Sequence, residues 1–293
     1  MPGDLTDVPG VTVGHWNHAD EPTGCTVVVL PAENETGVEV RGAAPGSRET
    51  DLLRPGMSVR RADAIVLTGG SAFGLATADG VMDGLEAEGR GHPTPTVPVP
   101  IVPAAVIYDL IGRDPMVRPD AAAGRAAFEA ASGNPLPGRH AGAGAGATVG
   151  KWRTPLGVPG GIGSASTSVE GATVGALVVA NALGDVVTPD GRPLTGGGEE
   201  LAPPFWHGME MPPTGTNTTL VVVATDAVGA SVDRMALRAQ DALAACIRPV
   251  HTSHDGDCAF ALRVPGGPPV DGDLINEAIF WTVAEAIEAA VTD

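Results

Sequence analysis

The apolar positions of the chain fall in short runs cut by glycine and proline, a pattern of strands more than of long amphipathic helices. Residues 11–13, 25–30, 38–41 and 64–67 are such runs, bounded by turn residues. Gly69-Gly-Ser-Ala-Phe-Gly-Leu-Ala then opens a predicted helix reaching about residue 88, with Ser71 as its cap. Residues 89–100 read as a Gly/Pro-rich loop, and the apolar stretch 101–107 as a strand or a tight buried segment. A proline followed by an alanine-rich run predicts a helix over 119–131. Downstream, 172–180 is a buried strand by its Val/Ala/Leu content, and 184–191 a hairpin return through an Asp190-Gly191 turn. Residues 195–216 read as loop. Thr218 then begins Thr-Thr-Leu-Val-Val-Val-Ala, the strongest strand signal in the chain. A helix is predicted over 230–246, a strand over 259–264, and a long helix over 271–291 with Leu274, Ala278, Trp281, Val283 and Ile287 near one face.

Strands group before helices more often than they alternate with them. That predicts an α+β sandwich of sheets flanked by helices, not a parallel doubly wound sheet. Only 195–216 could serve as a linker, so residues 1–293 are expected to form a single domain. Aromatic residues make up only 3% of the chain, so the core must be built from Ala, Val, Leu and Ile. The formal net charge of −18 disfavours nucleic acid and anionic membrane surfaces as partners. Three widely spaced cysteines, Cys25, Cys246 and Cys258, with no C-x-x-C, indicate neither a disulfide framework nor a zinc ribbon. The N-terminal Met-Pro-Gly-Asp-Leu-Thr-Asp lacks the basic and apolar regions of a signal peptide, and no run approaches the ~18 apolar residues of a membrane span. The expectation is a cytoplasmic protein.

Lys151 is the one lysine in a chain that otherwise uses arginine, and Tyr108 is the one tyrosine. Arginine stays protonated, whereas a buried lysine can lose its proton and act as a base or a tunable donor. Lys151 follows Ala141-Gly-Ala-Gly-Ala-Gly-Ala-Thr-Val-Gly150, a run nearly free of side chains and suited to close backbone approach. The same run fails as a phosphate loop: position 145 is Ala and position 152 is Trp where the motif needs Gly and Ser/Thr. No dinucleotide fingerprint is present either, since the run follows a loop instead of a strand. His251-Thr-Ser-His-Asp-Gly-Asp257 gathers groups that suit zinc or iron, but its Asp-Gly-Asp breaks any helix that would align the histidines. The cluster reads more simply as a turn into the next strand, or as two carboxylates on a turn that orient a nucleophile or an amine. No metal and no cofactor are expected.

Gly215-Thr-Asn-Thr-Thr-Leu-Val-Val-Val-Ala-Thr-Asp226 is the most loaded segment. A Gly/Pro-rich loop runs directly into a buried strand whose first residue is Thr218. Self-processing amidases need this layout: a Thr or Ser at a strand start attacks its own preceding carbonyl and becomes N-terminal, its freed amine then serving its own hydroxyl as base.

Together these pieces resemble the self-cleaving amidases and peptidases that include the β-aminopeptidases of D-aminopeptidase type and the nylon-oligomer (6-aminohexanoate-oligomer) endo-hydrolases. The resemblance spans nearly the whole chain. It runs through Pro9-Gly-Val-Thr-Val-Gly-His15, Gly42-Ala-Ala-Pro-Gly-Ser-Arg-Glu-Thr-Asp51, Leu67-Thr-Gly-Gly-Ser-Ala-Phe-Gly-Leu75 and Ala105-Val-Ile-Tyr-Asp109, then residues 142–151, Val178-Val-Ala-Asn181, Asn217-Thr-Thr219 and residues 251–257. Thr after Asn and the late Asp-Gly-Asp place it nearer the nylon-oligomer branch. The resemblance implies a four-layer α/β/β/α sandwich and a homotetramer of protomers cleaved between Asn217 and Thr218, giving fragments 1–217 and 218–293. It further implies Thr218 as nucleophile, Lys151 in proton transfer or substrate holding, and Asn181 in the oxyanion site. Asp255 and Asp257 would orient the freed amine, and Tyr108 would line the pocket of a small amide or peptide substrate. Ornithine acetyltransferases resemble this family in fold and also cleave before Thr, so acyl transfer stands as the alternative, with a non-cleaving binding protein as a third.

Overall fold

A computed structural model describes residues 3–196 and 216–292. Its strands are β1 Thr12–Asn17, β2 Gly24–Val29, β3 Glu35–Val40, β4 Ser47–Arg48, β5 Ala64–Thr68, β6 Ala104–Val106, β7 Thr148–Val149, β8 Val158–Pro159, β9 Gly161–Val169, β10 Ala172–Asn181, β11 Asp185–Val186, β12 Thr218–Thr225, β13 Ile247–Arg248 and β14 Cys258–Arg263. The helices are α1 Thr77–Ala87, α2 Ala121–Glu129, α3 Val232–Cys246 and α4 Gly272–Ala289. One five-stranded sheet runs β1-β2-β5-β6-β4 and a second runs β3-β14-β12-β10-β9.

Alternation along the strands builds the layers. Leu220, Val222 and Ala224 of β12 face the first sheet, where Val28, Ile65 and Leu67 meet them. Val221 and Val223 point the other way, onto Met235, Ala239 and Leu243 of α3 and Ile279 and Val283 of α4. The outer face of the first sheet offers Val27, Val29 and Val66 to Val81 and Leu85 of α1 and to Ala127 and Phe128 of α2. A sheet buried on both faces needs continuous apolar strands, which explains why β2 and β12 read as unbroken valine-rich runs. The result is the α/β/β/α sandwich expected.

β9 has no counterpart among the predicted elements. Its Gly-Ile-Gly-Ser-Ala-Ser-Thr-Ser-Val lacks a strand composition because α4 lies hard against it: a Cβ on Gly163 would sit 2.1 Å from the Ala286 carbonyl oxygen. Ser71 does not cap the helix; it has φ +53° and follows Gly70, the cap position of a 3₁₀ turn over Ser71–Ala76 that precedes α1. The buried face of α4 is also rotated from the expected one. Ile275, Ile279, Thr282, Val283, Ala286 and Ile287 are buried, whereas Leu274 and Trp281 are half exposed. Trp281 gains its place at the surface from an Nε1 hydrogen bond to Glu277, 2.9 Å long. The predicted loop at 195–216 lies largely outside the described residues.

Gly3 and Thr292, near the two ends of the described chain, line one open cavity of about 770 Å³ together with Leu136, Arg139 and Ile162. None of the candidate chemical residues reaches it. Among the described residues no helix is long and apolar enough to cross a membrane.

Candidate active site

Thr218 heads β12, whose antiparallel pairing with β10 sets it opposite Asn181, the last residue of that strand. On its other side β12 runs parallel to β14, and the pairing begins ahead of both strands with a bridge between Asn217 and Asp255. The register therefore brings three distant segments, around 181, 217–219 and 255–257, to one end of the second sheet. Thr218, Asn181, Asp255 and Asp257 are all buried there.

Lys151 arrives from the loop after β7. Gly150, at φ +71°, turns the backbone, and a side chain at that position would meet Asp185. The Lys151 amine donates to the Asn181 carbonyl oxygen at 2.9 Å, to Asn181 Oδ1 at 2.8 Å and to the Thr216 carbonyl oxygen at 3.3 Å. Asn181 Oδ1 also accepts the Thr148 N–H, so the Asn181 amide nitrogen points to the carbonyls of Tyr108 and Thr216, at 3.4 and 3.5 Å. Burial pulls the Lys151 ammonium down to about 7 against the charges of Asp255 and Asp109, which raise it.

Asp257 is fully engaged in the uncleaved chain. Its Oδ1 accepts the Thr219 N–H at 2.7 Å, and its Oδ2 accepts the His251 N–H at 3.1 Å and lies 2.8 Å from His251 Nδ1. Burial opposes charge on His251, yet the hydrogen bond to Asp257 and that carboxylate's charge raise its pKa above the ordinary imidazole value. Asp255 Oδ2 accepts from both the N–H and the hydroxyl of Thr252, at 2.8 and 2.6 Å. Burial and the neighbouring Asp257 push its carboxyl up. His251 thus bonds to Asp257, and Asp255 to Thr252, while His254 Nδ1 is buried without a hydrogen-bond partner; among the described residues no group of three or more His, Cys, Asp or Glu side chains is placed to hold a metal ion.

The Thr218 hydroxyl donates to the Asn217 carbonyl oxygen at 2.5 Å. The same oxygen accepts the Gly256 N–H at 2.9 Å. Asn217 Oδ1 and Thr219 Oγ1 are buried there without a hydrogen-bond partner. A hydroxyl beside a carbonyl that accepts two hydrogen bonds, a neighbouring amine whose pKa burial lowers to about 7, and two nearby carboxylates are parts that acyl-transfer chemistry can use. The cysteines offer no rival nucleophile: burial raises Cys25 and Cys246 to about 12 and Cys258 further still, keeping all three as thiols.

Tyr108 lies at a small cleft with Asp109, Ile111, Leu156, Lys151 and Thr216. Its loop is clamped by a buried pair that the sequence reading missed. Asp109 Oδ1 accepts from Arg113 and from the Gly70 N–H, at 2.7 and 2.8 Å, and Oδ2 accepts from Thr23 at 2.7 Å. The i, i+4 spacing of Asp109 and Arg113 was the available signal, but it lies on a loop, where spacing predicts no contact. Gly256 was also missed, because what it brings to the site is a backbone N–H.

The model of peptidase family S58 matches residues 3–293. An uncharacterised aminopeptidase of Mycobacterium leprae is 44% identical over 286 residues, covering 88% of this chain and 77% of that protein. The 6-aminohexanoate-oligomer endohydrolase of Paenarthrobacter ureafaciens is 34% identical, with 87% of this chain and 73% of that one covered. Among solved structures, a β-aminopeptidase of a Burkholderia species superposes with a TM-score of 0.72 at 24% identity, over 99% of this chain and 86% of that one. An aminopeptidase of Ochrobactrum anthropi, described as a variant of the N-terminal-nucleophile hydrolase fold, gives the same TM-score at 20% identity, again over 99% of this chain and 86% of that one. These two likenesses establish the fold, and the sequence matches establish the lineage: the chain belongs to peptidase family S58 and is a hydrolase of amide bonds.

Proposed function

We propose that Thr218 is the nucleophile, first of the chain's own cleavage and then of substrate hydrolysis. The observation that carries this reading is the Thr218 hydroxyl bonded to the carbonyl of the residue before it, at the head of a buried strand and directly opposite Lys151's acceptor Asn181 in the sheet. Cleavage between Asn217 and Thr218 yields fragments 1–217 and 218–293 and frees the Thr218 amine. That amine, or Lys151, takes the hydroxyl proton. The Asn181 amide group donates to the developing oxyanion, Asp255 and Asp257 hold the freed ammonium, and Tyr108 borders the substrate. The carboxylates also raise the amine's pKa, so its work as a base rests on alignment with the hydroxyl. The substrates are amides of small peptides or nylon-type oligomers, a reading supported by the names aminopeptidase and 6-aminohexanoate-oligomer endohydrolase among its relatives.

Mass spectrometry of the purified protein is expected to find 1–217 and 218–293, and Thr218→Ala to leave one intact chain with no amidase activity. Cleavage or turnover of a chromogenic amide by Thr218→Ala would remove Thr218 from both reactions.

A further inference from the structure

We propose that the backbone N–H of Gly256 is a catalytic oxyanion donor, used once when the chain cuts itself and again in each turnover. The inference rests on the Thr218 reading above and deepens it.

In the uncleaved chain the carbonyl to be attacked is held between two groups. The Asn217 oxygen accepts the Gly256 N–H at 2.9 Å and the Thr218 hydroxyl at 2.5 Å. The first of these is also a rung of the parallel pairing that leads into β12 and β14. It differs from an ordinary rung in its acceptor, which belongs to the scissile bond.

The donor is fixed before any reaction occurs. The carbonyls on either side of it are tied down by one strap: Ala44 N–H donates to the Asp255 oxygen at 2.8 Å, and Arg41 N–H to the Asp257 oxygen at 3.0 Å. The strap packs so closely that a Cβ on Gly42 would lie 2.3 Å from the Asp257 nitrogen. The Thr252 N–H and hydroxyl hold the Asp255 side chain. A donor with no freedom to reorient stabilises charge without a reorganisation cost at the moment of reaction. The position also tolerates only glycine, since a Cβ there would stand 2.8 Å from the Thr218 hydroxyl oxygen and 2.8 Å from the Ala44 carbonyl. The Asp-Gly-Asp motif and the Gly42 motif, far apart in sequence, are two halves of one support.

In processing, the Thr218 oxygen bonds to the Asn217 carbonyl carbon, and the carbonyl π electrons move onto the oxygen that Gly256 holds. The carbon–nitrogen bond then breaks, and the nitrogen leaves as an amine carrying the hydroxyl proton. Water hydrolyses the resulting ester, giving the Asn217 carboxylate and restoring the hydroxyl. When the Asn217 end departs, the Gly256 N–H loses its acceptor. A buried donor without a partner is costly, so a substrate carbonyl entering beside Thr218 takes the same place. The chain's own scissile carbonyl is thus a stand-in for the substrate's.

The test replaces Gly256 by glycolic acid in the full-length chain, exchanging this N–H for an ester oxygen. Processing, followed by mass spectrometry over time, is expected to slow on the order of 10²–10³-fold. A rate within about threefold of the unmodified chain, with Thr218→Ala blocked, would overturn the role of Gly256 and leave Thr218 standing. Cleavage of Thr218→Ala would overturn the reading beneath both. A second measurement does not depend on the ester chain folding: a crystal of the processed protein carrying a peptide boronate on Thr218. A boronate oxygen bonded to the Gly256 N–H supports the proposal, and a Gly256 N–H bonded to any other group overturns it.

Discussion

Lys151 shows at the scale of one residue how burial writes chemistry into a side chain. Three acceptors surround its amine, while burial lowers its pKa from 10.5 to about 7. Between those two values the unfolded chain binds a proton that the folded chain has given up. The contribution of Lys151 to stability therefore rises with pH from about 7 towards 10.5, with the full burial penalty present below 7. His251 acts with the opposite sign: its raised pKa adds stability at low pH that is lost as pH climbs through the folded value. Urea midpoints of Thr218→Ala from pH 7 to about 8.5, below the range in which the cysteines of the unfolded chain ionise, are expected to rise, and the added change Lys151→Met to flatten that rise. An undiminished slope in the double variant would show that other groups carry it. The lone lysine was legible in the sequence because composition made it unusual. Its partners were not, since two of its three acceptors are backbone carbonyls, and the Gly256 N–H is equally silent in a string of side chains.

Among elements, β2, β10 and β12 were readable because burial on both faces demands continuous apolar residues. β9 was not, because its neighbour α4 excludes bulk and leaves glycine and serine. The buried face of α4 was misread for a related reason. The helix is apolar around most of its circumference, so the sequence offers two stripes and only packing chooses between them. The loop after β6 carries the least legible feature, the Asp109–Arg113 pair, with both side chains almost wholly out of solvent. Removing one partner of such a pair leaves a buried charge and costs about 3–5 kcal/mol. Arg113→Met in the uncleaved Thr218→Ala chain is expected to lose stability on that scale in urea. Asp109→Asn with Arg113→Met should recover part of the loss, and a double variant no better than the single one would mean that Arg113 acts through packing alone.

At the scale of the whole molecule, the four layers followed from strand patterning, but the order of strands in the second sheet did not. That order is β3-β14-β12-β10-β9, so the two strands after Thr218 lie between strands that precede it. The long-range pairings of β14 with β3 and of β12 with β10 leave no trace in local sequence. They also mean that a cut at Asn217–Thr218 divides the chain without dividing the fold, because each piece supplies the other's neighbours in the sheet.

Gly3 and Thr292 line the same cavity, and neither Asn217 nor Thr218 is among its lining residues. The polypeptide can therefore be rewired as a circular permutant that begins at Thr218, runs to 292, crosses a short glycine linker to residue 3 and ends at 217. Once the initiating methionine is trimmed, translation itself delivers the threonine amine, and no acyl shift is required. Such a permutant should hydrolyse amides from the moment it folds, and a permutant that folds yet stays inert would mean that the severed peptide bond contributes something besides a free terminus.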